Sequence, residues 1–169
     1  LPVPPGFTIT THACREFLRT GALPQKLIEE LDASVNQLES SLGRTFGDPQ
    51  NPLIISVRSG AKFSMPGMME TVLNVGMTPE VAESLAKQTG DAKFAWDSYR
   101  RFIQMYGSVV LDVDHHRFEE IIEHVKLDTG KNEDTELTAS EWHRVVDGYK
   151  EMVAEVTGRP FPQDPETQL

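Results

Sequence analysis

The chain has 169 residues, 38% hydrophobic and 25% charged, with a formal net charge of −10. Those values suit one ordinary globular domain, or one and a half. The acid excess excludes unspecific nucleic-acid or membrane-surface binding, which needs a basic footprint, and no apolar run is long enough to span a bilayer.

Residues 1–5 lack the charged start and apolar core of a signal peptide, and an opening without Met reads as mid-domain, so a fragment is expected. Residues 6–11 alternate as a short strand. Thr10 or Thr11 then caps a helix through about Arg19, and Gly21 stops it. Pro24 opens the next helix, where its missing N–H costs nothing. Leu27, Leu31, Val35, Leu38 and Leu42 recur at helical spacing, and Gly43 ends that run. The lone Cys14 excludes an internal disulfide, fits a reducing compartment, and reads as a small buried residue.

The run Pro52–Ile55 reads as a buried strand, and the β-branched stretch 70–75 as its neighbour. Between them lies a long turn, 56–69, with Arg58, Lys62, Ser59, Ser64, Gly60, Gly67 and three methionines. Glycines allow close backbone approach to a ligand, and successive N–H groups can form an anion-binding concavity. Arg58 adds a rigid fork of donors suited to phosphate oxygens. The plain alternative is an ordinary turn whose methionines fill a core. The chain has no Walker-type or G-x-G-x-x-G loop, so a nucleotide site here is of another kind.

After Gly76 the pattern turns helical: 79–88, 92–111, 115–128 and 139–157. Thr78 with Pro79 is a cap-and-proline start, and Thr138 with Glu141 has capping-box spacing. Ala95, Tyr99, Phe102, Ile103, Tyr106 and Val110 form one apolar stripe. Phe118, Ile121, Ile122 and Val125 form a second. Trp142, Val145, Val146, Tyr149, Met152, Val153 and Val156 form a third. The acidic stretch 132–136 reads as an exposed, mobile linker. Asp97, Arg100, Arg101, Gln104 and Ser108 share a polar face, either simply solvated or a docking surface. Adjacent His115 and His116 point about 100° apart on a helix, and no second close ligand pair accompanies them, so no metal site is expected. The chain divides near residue 77 into an α/β part and an all-helical part.

The stretch 56–76, with its Met-Pro-Gly-Met-Met run at 65–69, resembles the N-terminal nucleotide-binding domain of pyruvate phosphate dikinases. Residues 1–11, 46–48, 94–107 and 157–165 are similar to that family as well, in collinear order over the whole chain. Related phosphoenolpyruvate synthases carry Val-Arg-Ser-Ser-Ala at the loop and lack the methionine run.

The resemblance implies an α+β fold. It would be a partial ATP-grasp nucleotide-binding domain, with the α/β part at 1–77, a helical subdomain at 78–158 and an exit segment at 159–169. It implies that ATP, phosphate and pyruvate become AMP, pyrophosphate and phosphoenolpyruvate, with a histidine on a separate carrier domain phosphorylated on the way. Arg58 matches the family's essential phosphate-binding arginine and would be the catalytic residue. Lys62, Gly67, Met68 and Met69 would complete the phosphate loop, although Met68 and Met69 read equally well as core filler. Arg100 and Arg101 would dock the carrier domain. Mg²⁺ would be required, with its ligands beyond Leu169, so this stretch alone would be inactive. A cytoplasmic or organellar homodimer without nucleic-acid or membrane partners is the corresponding expectation. A phosphoenolpyruvate synthase-like phosphotransferase and a non-catalytic helical interaction module are the alternatives.

Overall fold

The computed structural model describes residues 3–60 and 70–169. The described residues are mostly helical, 62%, with a small strand content compatible with an α+β fragment. It divides into two compact units, 1–46 and 47–169.

In the first unit, α1 spans Thr11–Thr20, α2 spans Gln25–Leu42, and Thr45–Phe46 is a two-residue strand, β1. Thr10 precedes α1 in extended conformation without a side-chain cap, and Gly21 closes the helix at φ 72°. Pro24 precedes α2, and Gly43 ends it in the left-handed region. Glu39 Oε1 then accepts from the Phe46 N–H at 2.7 Å, which turns the chain back along the end of α2. The strand expected at 6–11 is absent. Alternation alone does not make a strand; the ladder needs a partner, and none pairs with this stretch among the described residues. No residue of α1 is buried. Cys14, expected inside, is exposed for that reason.

The second unit is built around α4, Ala92–Val109. Most of its expected stripe faces inward, with Tyr99, Phe102 and Ile103 fully buried, whereas Val110 lies just past the helix end and is exposed. Helix α6, Ala139–Thr157, packs beside it, and α3, Pro79–Thr89, covers a further side. Val145, Val146, Tyr149 and Val153 complete the interior from α6. Removing each such apolar side chain from water contributes about 1.5–3 kcal/mol.

Helix α5, His115–Thr129, crosses at two glycines. A Cβ on Gly107 of α4 would lie 2.5 Å from Phe118 Cζ, and one on Gly148 of α6 would lie 2.9 Å from Ile121 Cγ2. Phe118 itself stands edge-on to Tyr149 at 4.8 Å.

The helix starts follow the cap chemistry. Thr78 accepts from Val81 N, Asp91 from Phe94 N and Asp114 from His116 N. Thr138 and Glu141 form a reciprocal capping box. The acidic stretch 132–136, expected to be mobile, is exposed but pinned by a 3-10 turn over Asp134–Glu136. Glu136 Oε2 accepts from the N–H groups of Asn132 and Glu133, Asp134 pairs with Lys126 at 3.0 Å, and Lys93 donates to Thr135 O.

The segment after α6 folds back onto the same unit. Phe161 packs edge-on against Phe102 and Tyr106. A short helix, α7, Pro165–Gln168, follows.

Candidate phosphate-binding hairpin and charged helix face

Pro52–Leu53, β2, is buried and leads into β3, Ile55–Arg58. Strand β3 pairs antiparallel with β4, Thr71–Val75. Ile55 stands opposite Val75, while Val57 stands opposite Val72 and Arg58 opposite Thr71. Between those pairs β4 has two residues, Leu73 and Asn74, and β3 has only Ser56. That is a β-bulge on β4, which bends the strand and increases its twist. Asn74 takes the bulge conformation at φ 62°. Val72 and Val75 are buried, with Val75 only 1% exposed. The hairpin is therefore anchored at its base and projects beyond the bulge.

The neck of the projection is closed by Ser59 and Glu70. Ser59 N and Oγ donate to Glu70 O at 2.9 and 3.1 Å, and Glu70 N donates to Ser59 Oγ at 2.8 Å. Arg58 sits just inside this neck and is exposed. It makes no hydrogen bond or ion pair with any described residue. A guanidinium without a partner among the described residues, beside a closed hairpin neck, can take the oxygens of a phosphate. Lys62, Gly67, Met68 and Met69 lie outside the described residues.

The polar face of α4 is not uniformly solvated. Arg100 is buried, 8% exposed, so its placement on a solvated face is corrected. Its Nε and Nη2 donate to Asp97 Oδ1, and its Nη1 donates to Gln104 Oε1 at 2.6 Å. The guanidinium lies 4.9 Å from the centre of the Trp142 ring on α6. A weakly hydrated planar cation tolerates this burial because its donors and its face are both occupied. Arg101 is the exposed member, with 61% of its side chain accessible, and pairs with Asp97 Oδ2 at 2.9 Å. Ser108 Oγ, at the far end of the same stripe, is buried. Of the two arginines expected to dock a partner, only Arg101 is available at the surface.

Next to this face, Trp96 and His143 stand 4.2 Å apart, and His143 Nδ1 lies 3.0 Å from Asp147 Oδ2. Tyr149 is held above the usual phenol range by burial, partly offset by Arg100. Tyr99 is raised by burial and by Glu80 and Asp147. Both phenols stay protonated, which suits packing rather than acid–base work. Among the described residues no three His, Cys, Asp or Glu side chains gather closely enough to hold a metal ion. No helix among them is long and apolar enough to cross a membrane.

Two residues that position the hairpin carry little sequence signal. Asn74 Nδ2 donates to Ser98 O on α4 at 3.0 Å. Gln168, 5% exposed, accepts from Gly76 N at 2.9 Å and donates to Met77 O at 3.0 Å and Pro162 O at 3.1 Å. An asparagine two residues before a glycine at a strand end is a hint of left-handed backbone. Nothing local marks Gln168.

No family model matches the chain. Comparison with curated proteins is informative. The chain is 55% identical over its whole length to pyruvate, phosphate dikinase of Rhizobium meliloti, covering 19% of that protein. It is 49% identical over its whole length to the Giardia intestinalis protein of the same name, again covering 19%. The chloroplastic pyruvate, phosphate dikinase 1 of Zea mays is 50% identical over the whole chain, which covers 18% of it. The chain thus spans about a fifth of the length of these relatives. At such identity over every element described above, from α1 to α7, the chain belongs to the pyruvate, phosphate dikinase family, of which it represents one segment.

Proposed function

We propose that this chain is the phosphate-gripping part of an ATP-grasp nucleotide-binding domain in a pyruvate phosphate dikinase. The whole protein would convert ATP, phosphate and pyruvate to AMP, pyrophosphate and phosphoenolpyruvate. The β-phosphoryl of ATP ends on a histidine of a separate carrier domain. The α-phosphate leaves with AMP, and the γ-phosphate leaves joined to the acceptor phosphate as pyrophosphate. The carrier histidine then gives its phosphoryl group to pyruvate.

The observation that carries this reading is Arg58: exposed, without an ion pair among the described residues, and held in β3 beside a closed hairpin neck, in a chain about half identical to dikinases along its entire length. Phosphoryl transfer is mostly positioning and charge stabilisation, and a rigid guanidinium supplies both. Arg58 is the catalytic residue here, holding the β- and γ-phosphates. Lys62 adds a second cation, and Gly67, Met68 and Met69 supply the loop that covers the phosphates. Mg²⁺ would neutralise phosphate charge, held by residues outside this chain. Arg101, with its carboxylate partner Asp97, offers a charged rim for reversible docking of the carrier domain. A cytoplasmic or organellar homodimer completes the reading, and the isolated chain would lack activity.

The test is isotope exchange in the protein that carries this chain. Labelled pyrophosphate enters ATP in the presence of AMP and phosphate if the nucleotide half-reaction is intact. Arg58→Ala is expected to reduce that exchange by about 10- to 100-fold, the range for a charge-assisted contact. Full exchange by the variant removes Arg58 from the site.

A further inference from the structure

We propose that Asn74 is the positioning residue that aims Arg58, acting through the β-bulge rather than by touching the nucleotide. The inference rests on the reading of Arg58 as a phosphate ligand. Asn74 does three things at once. Its backbone adopts φ 62°, which a β-branched residue at that strand position would resist. Its carbonyl accepts from Met77 N at 3.1 Å, which fixes the exit of β4. Its Nδ2 donates to Ser98 O in the middle of α4 at 3.0 Å. A helix carbonyl has a second lone pair free for such a donor. The bulge is thereby tied to the helix at the centre of the unit.

Val72 keeps β4 on the core just past that tie, and the exposed residues beyond it, Arg58 among them, take their direction from the bulge. Arg58 pairs with Thr71, three residues from Asn74 along β4. At about 3.4 Å per residue that is a lever of about 10 Å. A 10° change of bend at the bulge would move Arg58 by roughly 2 Å, enough to break a charge-assisted hydrogen bond. Ser59 and Glu70 keep the neck closed, so Arg58 and Thr71 turn with the bulge as one piece. The substituent that decides the angle is the Asn74 amide donor.

The experiment measures ATP and AMP affinities by calorimetry, in the protein that carries this chain, for the parent, Asn74→Asp, Asn74→Gly and Arg58→Ala. Aspartate keeps the shape and tolerates the left-handed backbone but cannot donate to Ser98 O. Glycine keeps the backbone conformation and lacks the side chain altogether, and serves if the aspartate variant fails to fold. Both are expected to lose ATP affinity about tenfold, the cost of a modest misplacement, while AMP, which lacks the β- and γ-phosphates, binds as before. Parent-like ATP affinity in a folded Asn74 variant overturns the inference, and so does an equal loss for ATP and AMP, which marks general damage to the fold. If Arg58→Ala binds ATP as the parent does, the phosphate reading falls and this inference with it. A normal Arg58 effect beside an unaffected Asn74→Asp defeats the positioning role alone.

Discussion

Gln168 and Gly76 stand 92 positions apart and are joined by a 2.9 Å hydrogen bond from the Gly76 N–H to Gln168 Oε1. The same amide returns a hydrogen to Met77 O, so the side chain pairs with the turn as a second strand would. All three residues are buried. Gln168→Ala strands a buried donor and a buried acceptor, and the expected loss is about 2–3 kcal/mol in urea unfolding. Gln168→Glu is also expected to destabilise, since a carboxylate accepts from Gly76 N but repels Met77 O.

Gly107 makes room for Phe118, whose Cζ would stand 2.5 Å from an added Cβ. Gly107→Ala should therefore cost about 1–3 kcal/mol by overpacking, despite the better helix propensity of alanine. Thermal unfolding of Gly107→Ala, Phe118→Leu and the double variant checks this. The double variant should be more stable than the sum of the singles predicts, because the leucine relieves the clash.

Glu141 is held down to about 2 by Lys131 and then by the Thr138 N–H and hydroxyl. The folded value lies below the usual carboxylate value, so the ionised form binds the native state better. Its contribution is present above the ordinary carboxylate range and is lost as pH falls from about 4.5 toward 2. Melting temperatures measured across that window should fall for the parent. Glu141→Gln should start lower at pH 6 and fall less.

Arg100 and Arg101 are neighbours in sequence with opposite fates. Arg100→Lys loses the fork to Asp97 and Gln104 and the stack on Trp142, with an expected cost of about 1–2 kcal/mol. A red shift of Trp142 emission should accompany it. Arg101→Ala breaks an exposed pair and should change stability by no more than about 0.5 kcal/mol.

The helices of the second unit were legible because their ends announce themselves. Thr78 with Pro79 and Thr138 with Glu141 start helices where the cap chemistry predicts. The apolar stripes also face inward as the 3.6-residue period requires, except at their C-terminal ends, where Val110 and Val156 are exposed. Arg100 was misplaced because periodicity describes one helix, whereas burial depends on what the next helix brings. Trp142 lies 42 positions away, and no local pattern pairs it with an arginine. The strand expected at 6–11 had the right alternation and no partner. The bulge escaped notice because one extra residue leaves the composition of β4 unchanged. Of the candidate site, Arg58 stood out by its chemistry, whereas the side-chain amides of Asn74 and Gln168 bond to distant backbone groups, pairings that a side-chain pattern does not reveal.

The exposed position of Cys14 has a practical consequence for spectroscopy. It is the single thiol among 169 residues, and the chain has two tryptophans, Trp96 and Trp142. The thiol belongs to the unit 1–46, and both indoles belong to the unit 47–169. A maleimide acceptor on Cys14 and tryptophan excitation therefore make a natural energy-transfer pair across the division, with no engineered label site. Adding nucleotide to the labelled wild-type chain would turn any change in separation of the two units into a change in fluorescence.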